Sequence, residues 1–142
     1  MEIGPAGPED LPECAELYDR VARDTFTWLP AERQAEKFLA EAKEEEVYVA
    51  RDAGVILGLA AFYRPANFLH SLYIDAAARG RGVGTLLLAH VEALADGPIS
   101  LKVQKLNHPA IAFYRSRGLK ITEVGGADDP GGGWFRMARI GS

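Results

Sequence analysis

The run Arg79-Gly80-Arg81-Gly82-Val83-Gly84-Thr85 brings together positive charge and missing side chains in the pattern that suits an anion. Glycine reaches dihedrals closed to other residues and lets the backbone approach a ligand without an intervening Cβ, while Arg79 and Arg81 add charge. An amphipathic stretch follows at once, so the N–H groups of the run open a helix and point outward, where the helix dipole favours a negative guest. Phosphate or pyrophosphate is the natural guest. A plain strand-to-helix turn explains one glycine; three at alternate positions with two arginines exceed what a turn needs. Spacing excludes two nucleotide sites. A Gly-x-Gly-x-x-Gly pattern begun at Gly80 or Gly82 puts Thr85 or Leu87 where its third glycine belongs, and Gly-Lys-Ser/Thr is absent.

The elements that must position this turn follow from periodicity. Glu2–Gly4 is a short strand stopped by Pro5, Gly7 and Pro8. Leu11, Ala15, Leu17 or Tyr18, and Val21 recur at helical spacing and predict a helix over about 10–23, which the stretch DTFTWL ends. Pro30 suits a first helical turn, so 31–43 reads as a second helix with Ala35, Phe38, Leu39 and Ala42 inward. Residues 46–51 and 55–63 are β-branched and aromatic runs joined by Asp52-Ala53-Gly54, a hairpin signal. Residues 68–74 form a central strand, apolar on both faces, with Phe68, Leu72 and Ile74 on one side and Leu69 and Tyr73 on the other. Val83, Leu87, Val91 and Leu94 form a helix stripe, and 99–103 is again a strand. Asn107-His108-Pro109 starts a helix that Gly118 stops. Residues 119–124 and 134–140 are the last strands, joined by GGADDPGGG as an exposed hairpin tip. The order predicts an α+β (mixed α/β) layout, one central sheet with helices on its faces, in a single domain over 1–142 without repeats or linkers.

Composition narrows the functional classes. The chain has 142 residues, 48% of them hydrophobic and 25% charged, as in ordinary soluble domains. Its apolar runs are strand-sized and its N-terminus lacks the basic and apolar regions of a signal peptide, so neither membrane nor export is expected. The lone Cys14 fits a reducing cytoplasm and reads as a small buried side chain rather than a nucleophile. Residues 1–75 carry 7 Lys/Arg against 15 Asp/Glu, and the remainder 9 against 5. A basic half holding an anion and an acidic half receiving a cation would follow, although solvated helix faces also produce such runs. Nothing points to a nucleic acid.

Two motifs carry a resemblance to a known family. Arg79-x-x-Gly82-x-Gly84, behind a strand ending in LYID, resembles the coenzyme A pyrophosphate loop of the GNAT-type N-acetyltransferases. Asn107-x-x-Ala110-x-x-Phe113-Tyr114-x-x-x-Gly118-Leu119 is similar to the helix that follows in that family. The resemblance implies a twisted, mainly antiparallel sheet of about seven strands, splayed between strands 4 and 5 and flanked by four helices. It implies acetyl-CoA as co-substrate, a primary amine as acceptor, direct attack in a ternary complex, and no metal. The backbone of Leu72, Tyr73 and Ile74 would hold the pantetheine arm, with an amide near Leu72 polarising the thioester carbonyl. The backbone amides of Arg81, Gly82, Val83, Gly84 and Thr85 would hold the pyrophosphate, with Arg79 and Gly80 also binding the coenzyme. Asn107 would bond the pantetheine, though asparagine is equally a helix N-cap.

Tyr114 matches the family's general acid, against packing on its helix stripe as the plainer reading. His70, two residues before Leu72 and expected on the same strand face, stands where some members, arylalkylamine acetyltransferases among them, place a histidine that acts through water. Its ordinary pKa of about 6.5 suits a base, and a structural histidine is the alternative. His90 and His108 receive no catalytic role. Trp28, Phe26, Tyr63, Asn67, Trp134 and the glycine-rich hairpin surround the acceptor side in this fold, and the acidic first half favours a cationic amine. A non-catalytic acyl-CoA-binding module is the rival from another class, and a homodimer is left open.

Overall fold

The computed structural model describes residues 1–140. Chain order is β1 (Glu2–Pro5), α1 (Leu11–Thr25), α2 (Ala35–Ala42), β2 (Glu46–Asp52), β3 (Val55–Tyr63), β4 (Phe68–Ile74), α3 (Val83–Leu94), β5 (Ser100–Gln104), α4 (His108–Ser116), β6 (Lys120–Gly125) and β7 (Trp134–Ala138). The strands form one sheet in the order β1-β2-β3-β4-β5-β7-β6. Every neighbouring pair is antiparallel except β4 and β5, which run parallel and meet at one position, Phe68 opposite Ser100. Beyond that position the two strands part, and the sheet opens as a wedge.

Alternation sends each strand's side chains to two cores. On β2, Val47 and Val49 pack with Leu17, Val21 and Phe38 under α1 and α2, while Tyr48 and Ala50 pack with Leu87, Leu88 and Val91 under α3. Helix α2 has eight residues, too few to persist alone. Phe38, 1% exposed, anchors it, and burial of such a ring contributes roughly 1.5–3 kcal/mol.

Three expectations are corrected. Helix α2 begins at Ala35 rather than Ala31, because the backbone N–H of Gln34 donates to the buried Asp19 carboxylate at 2.6 Å and Arg33 pairs with Glu16 at 2.5 Å. These bonds hold 30–34 against α1 in an irregular path. Leu39 faces outward at 37% exposure. On β4 the simple alternation fails: Ser71 pairs with Ala61 and Leu69 with Phe62, leaving His70 unmatched in a β-bulge. The extra residue puts Leu69 in the α3-side core with Leu72 and Ile74, opposite to its expected partner Tyr73.

Candidate active site

A cleft of about 640 Å³ lies between the end of β4, the first turn of α3 and the first turns of α4. Its lining includes Leu72, Tyr73, Ile74, Arg79, Gly80, Gly82, Val83, Gly84, Thr85, Asn107 and Tyr114. Eleven of the thirteen residues assigned from sequence line this cleft, and the two exceptions are Arg81 and His70. The Arg81 guanidinium turns away to pair at 2.6 Å with Asp52, the last residue of β2. His70 belongs to the opposite face.

The glycine turn is built as an open backbone cradle. Gly82 caps α3 at φ +78°, a left-handed conformation, and a Cβ there or at Gly80 would meet no atom within 4 Å. The first backbone bond of the helix runs from Leu86 N–H to Gly82 C=O, so the N–H groups of Val83, Gly84 and Thr85 precede the helical ladder. Gly84 serves a second purpose: a Cβ would stand 3.3 Å from the Phe113 ring, so its absence lets α4 approach α3. Three helix-terminal amides beside exposed backbone form a donor set that fits a pyrophosphate. Arg79 lines the same cleft and has no ion-pair partner among the described residues.

The β5-facing edge of β4 has no strand partner after Phe68, so the main chain around Leu72–Ile74 offers unpaired groups along the cleft. Asn107 is the N-cap of α4, its Oδ1 accepting from Ala110 N–H at 3.3 Å, and it lines the cleft as well. Tyr114 is 8% exposed and packs with the α3-side core, and burial pushes its hydroxyl above the ordinary tyrosine value. It lines both this cleft and a smaller cavity of about 220 Å³ inside the wedge. The small cavity is bounded by His70, Ser71 and Tyr73 from β4, by Lys102 and Gln104 from β5, and by Trp134, whose ring lies 4.2 Å from Lys102 Nζ.

A third hollow, of about 650 Å³, opens on the α1–α2 side. Tyr18, Phe26 and Tyr73 form its aromatic wall, with Tyr18 and Tyr73 stacked at 4.6 Å between ring centroids. Burial and the neighbouring Tyr18 hold the Tyr73 hydroxyl protonated, well above the ordinary range. His70 stands at its edge, with Nδ1 2.5 Å from Glu45 Oε1 and 3.6 Å from Glu41 Oε2. The hydrogen bond to Glu45, opposed by desolvation, raises the His70 pKa.

Of the acceptor-side residues expected from sequence, Phe26 lines all three hollows and Trp134 the small one. Trp28 stacks edge-on against Phe26 and packs over Gly131 of the long hairpin. Tyr63 is 39% exposed, and Asn67 ties a turn to the Asp96 backbone. The acidic charge of the first half is dispersed: Asp10, Glu16, Glu46, Asp52 and Asp75 are engaged by arginines, and the charged lining of the large hollow is Arg23, Glu32, Arg33, Lys37 and His70. Sequence reasoning missed Tyr18 and Tyr73 as walls of the large hollow and Glu41 and Glu45 as the partners of His70. Only the Glu41/Glu45 spacing of one helical turn hinted that two carboxylates share a face.

The Acetyltransferase (GNAT) family model matches residues 11–119. The N-alpha-acetyltransferase RimI of Mycobacterium tuberculosis is 32% identical over 128 residues, covering 84% of this chain and 78% of that protein. The solution structure of apo YjaB from Escherichia coli superposes with a TM-score of 0.78 at 25% identity, over 99% of this chain and 98% of its own. The PaiA N-acetyltransferase of Thermoplasma acidophilum, solved in complex with coenzyme A, gives a TM-score of 0.78 at 20% identity, over 98% and 99% of the two chains. The chain spans 34% and 43% of the lengths of two further curated relatives. No helix among the described residues is long and apolar enough to cross a membrane.

Proposed function

Since the chain belongs to the GNAT family of acetyltransferases, we propose that it transfers the acetyl group of acetyl-CoA to a primary amine by direct attack in a ternary complex. The observation that carries this reading is that three helix-terminal amides, the free edge of β4 and Tyr114 all line one cleft. Acetyl-CoA, when bound, would supply an activated acetyl group as its thioester.

The amides of Val83, Gly84 and Thr85, helped by Arg79, hold the pyrophosphate through charge-assisted hydrogen bonds. The main chain of Leu72–Ile74 receives the pantetheine arm as a strand-like addition, and the amide near Leu72 faces the developing negative charge on the carbonyl oxygen. Tyr114 Oη keeps its proton at neutral pH because burial disfavours the phenolate, and it delivers that proton to the departing sulfur. The same burial raises a thiol held beside it, so desolvation does not oppose the transfer. His70 takes up the proton that the attacking ammonium must lose, directly or through water, from the edge of the α1–α2 hollow.

The acceptor is the amine of a small molecule or of a peptide. One relative is named an N-alpha-acetyltransferase, RimI, and two YjaB proteins are named peptidyl-lysine N-acetyltransferases, and a hollow open to one side suits a chain end. Incubation of the protein with acetyl-CoA and a panel of amines and peptides, followed by free-thiol release, tests the reading. Amine-dependent release is expected. Acetyl-CoA binding without amine-dependent release across the panel would overturn it and leave a non-catalytic acyl-CoA-binding module.

A further inference from the structure

The β4 bulge that removes His70 from the Leu72 face delivers its ring to the end of α2, where two acids of that helix and its following turn meet it. Glu45 is the closer. Its side chain is 9% exposed, one oxygen lies 2.5 Å from His70 Nδ1, and the other is buried without a hydrogen-bond partner among the described residues. A carboxylate so enclosed, with the imidazole as its one polar partner, fixes which ring nitrogen is turned inward. Nδ1 is thereby committed to Glu45, and Nε2 is the nitrogen left for the hollows that His70 lines, one of which it shares with Tyr114.

We propose that Glu45 is the positioning residue of a carboxylate–histidine pair in which it holds His70 with Nε2 directed at the incoming amine, and that Glu41 adds a weaker field from 3.6 Å. The inference rests on the transfer reading given above. The protein step is a plain proton transfer: Nε2 binds the proton released by the ammonium, the amine keeps the electron pair, and the imidazolium that results faces the Glu45 carboxylate. The other charged or titratable groups around His70 are Lys37 of α2, which opposes the pair, Tyr18 and Arg23 of α1 across the hollow, Tyr73 on its own strand, Lys102 of β5 and Tyr114 of α4. Together the two acids outweigh Lys37, in line with the raised histidine.

Two measurements on EDTA-treated full chain test this: the His70 titration by NMR, its resonance assigned with His70→Ala, and the pH profile of kcat/KM. In the wild type both place His70 above the ordinary value near 6.5. Glu45→Gln keeps an acceptor for Nδ1–H but removes the charge, so the titration and the acid limb both move down by about one pH unit. Glu45→Ala also loses the orientation and lowers kcat by up to roughly 10²-fold, with the KM for the amine little changed. Acetyl-CoA affinity serves as the folding control. Identical His70 titrations in wild type and Glu45→Gln would overturn the pairing, and a moved titration with an unmoved kcat/KM limb would reduce Glu45 to a structural partner. A wild type that shows no amine-dependent turnover defeats the transfer reading instead, while the NMR titration still decides whether Glu45 governs His70.

Discussion

On the α3 side of the wedge, the groups that face the cleft are mainly backbone: amides of the first helical turn, the free edge of β4, and glycines whose missing side chains leave the main chain bare. On the α1–α2 side they are side chains, brought from α1, from the irregular 30–34 segment, from α2 and from β5. The first surface depends on dihedrals and on helix geometry, which a local stretch of sequence specifies by itself. The second depends on which distant elements pack together, so each of its residues has a plain structural use as well. On the reading proposed above, the donor meets the backbone-built surface and the acceptor the one built from exchangeable side chains.

Substitutions can test this contrast. The largest effect belongs to Tyr114, which lines the cleft and the small cavity inside the wedge: Tyr114→Phe should lower kcat by roughly 10²- to 10⁴-fold while calorimetry finds acetyl-CoA affinity unchanged. Unchanged turnover at saturating substrates would leave Tyr114 a packing residue. Next comes Gly82→Val. A β-branched residue at φ +78° costs roughly 1–3 kcal/mol, and its Cβ meets no protein atom, so the damage should fall on coenzyme affinity, by about tenfold or more. Normal affinity in that variant would remove the backbone cradle.

The opposite region should respond in the complementary way. Gly131→Val would drive a Cβ into Trp28, whose ring stands 2.5 Å from that point, and shift the wall beside Phe26. The KM for the acceptor should rise severalfold while coenzyme binding holds, and equal losses in both would erase the division. The smallest effect separates two arginines. Arg81→Ala, which breaks an exposed pair with Asp52, should change stability by less than about 1 kcal/mol and leave affinity nearly intact. Arg79→Ala should weaken coenzyme binding more, and most at low salt.

The glycine turn, the strand behind it and the Asn107–Leu119 helix were legible because each is a local pattern. β3 and β4 fall on the expected residues, and eleven of the assigned coenzyme-side and catalytic residues line one cleft. The start of α2 was not legible, since Pro30 is a good first-turn residue and only the carboxylate of Asp19, from another helix, draws Gln34 out of the helical path. His70 was placed on the wrong face because strict alternation was assumed; a bulge of one residue reverses parity, and nothing in FLHSLYI marks it.

The sequence by itself determined the element order, the run of glycines at a helix start and the family to which these motifs belong, because periodicity and left-handed backbone are properties of short segments. The tertiary structure alone decided that β4 and β5 part after a single pairing, that Arg81 is spent on Asp52, and that Glu45 reaches His70. Those outcomes depend on where elements distant in sequence come to rest, and on the need of each buried polar group for a partner.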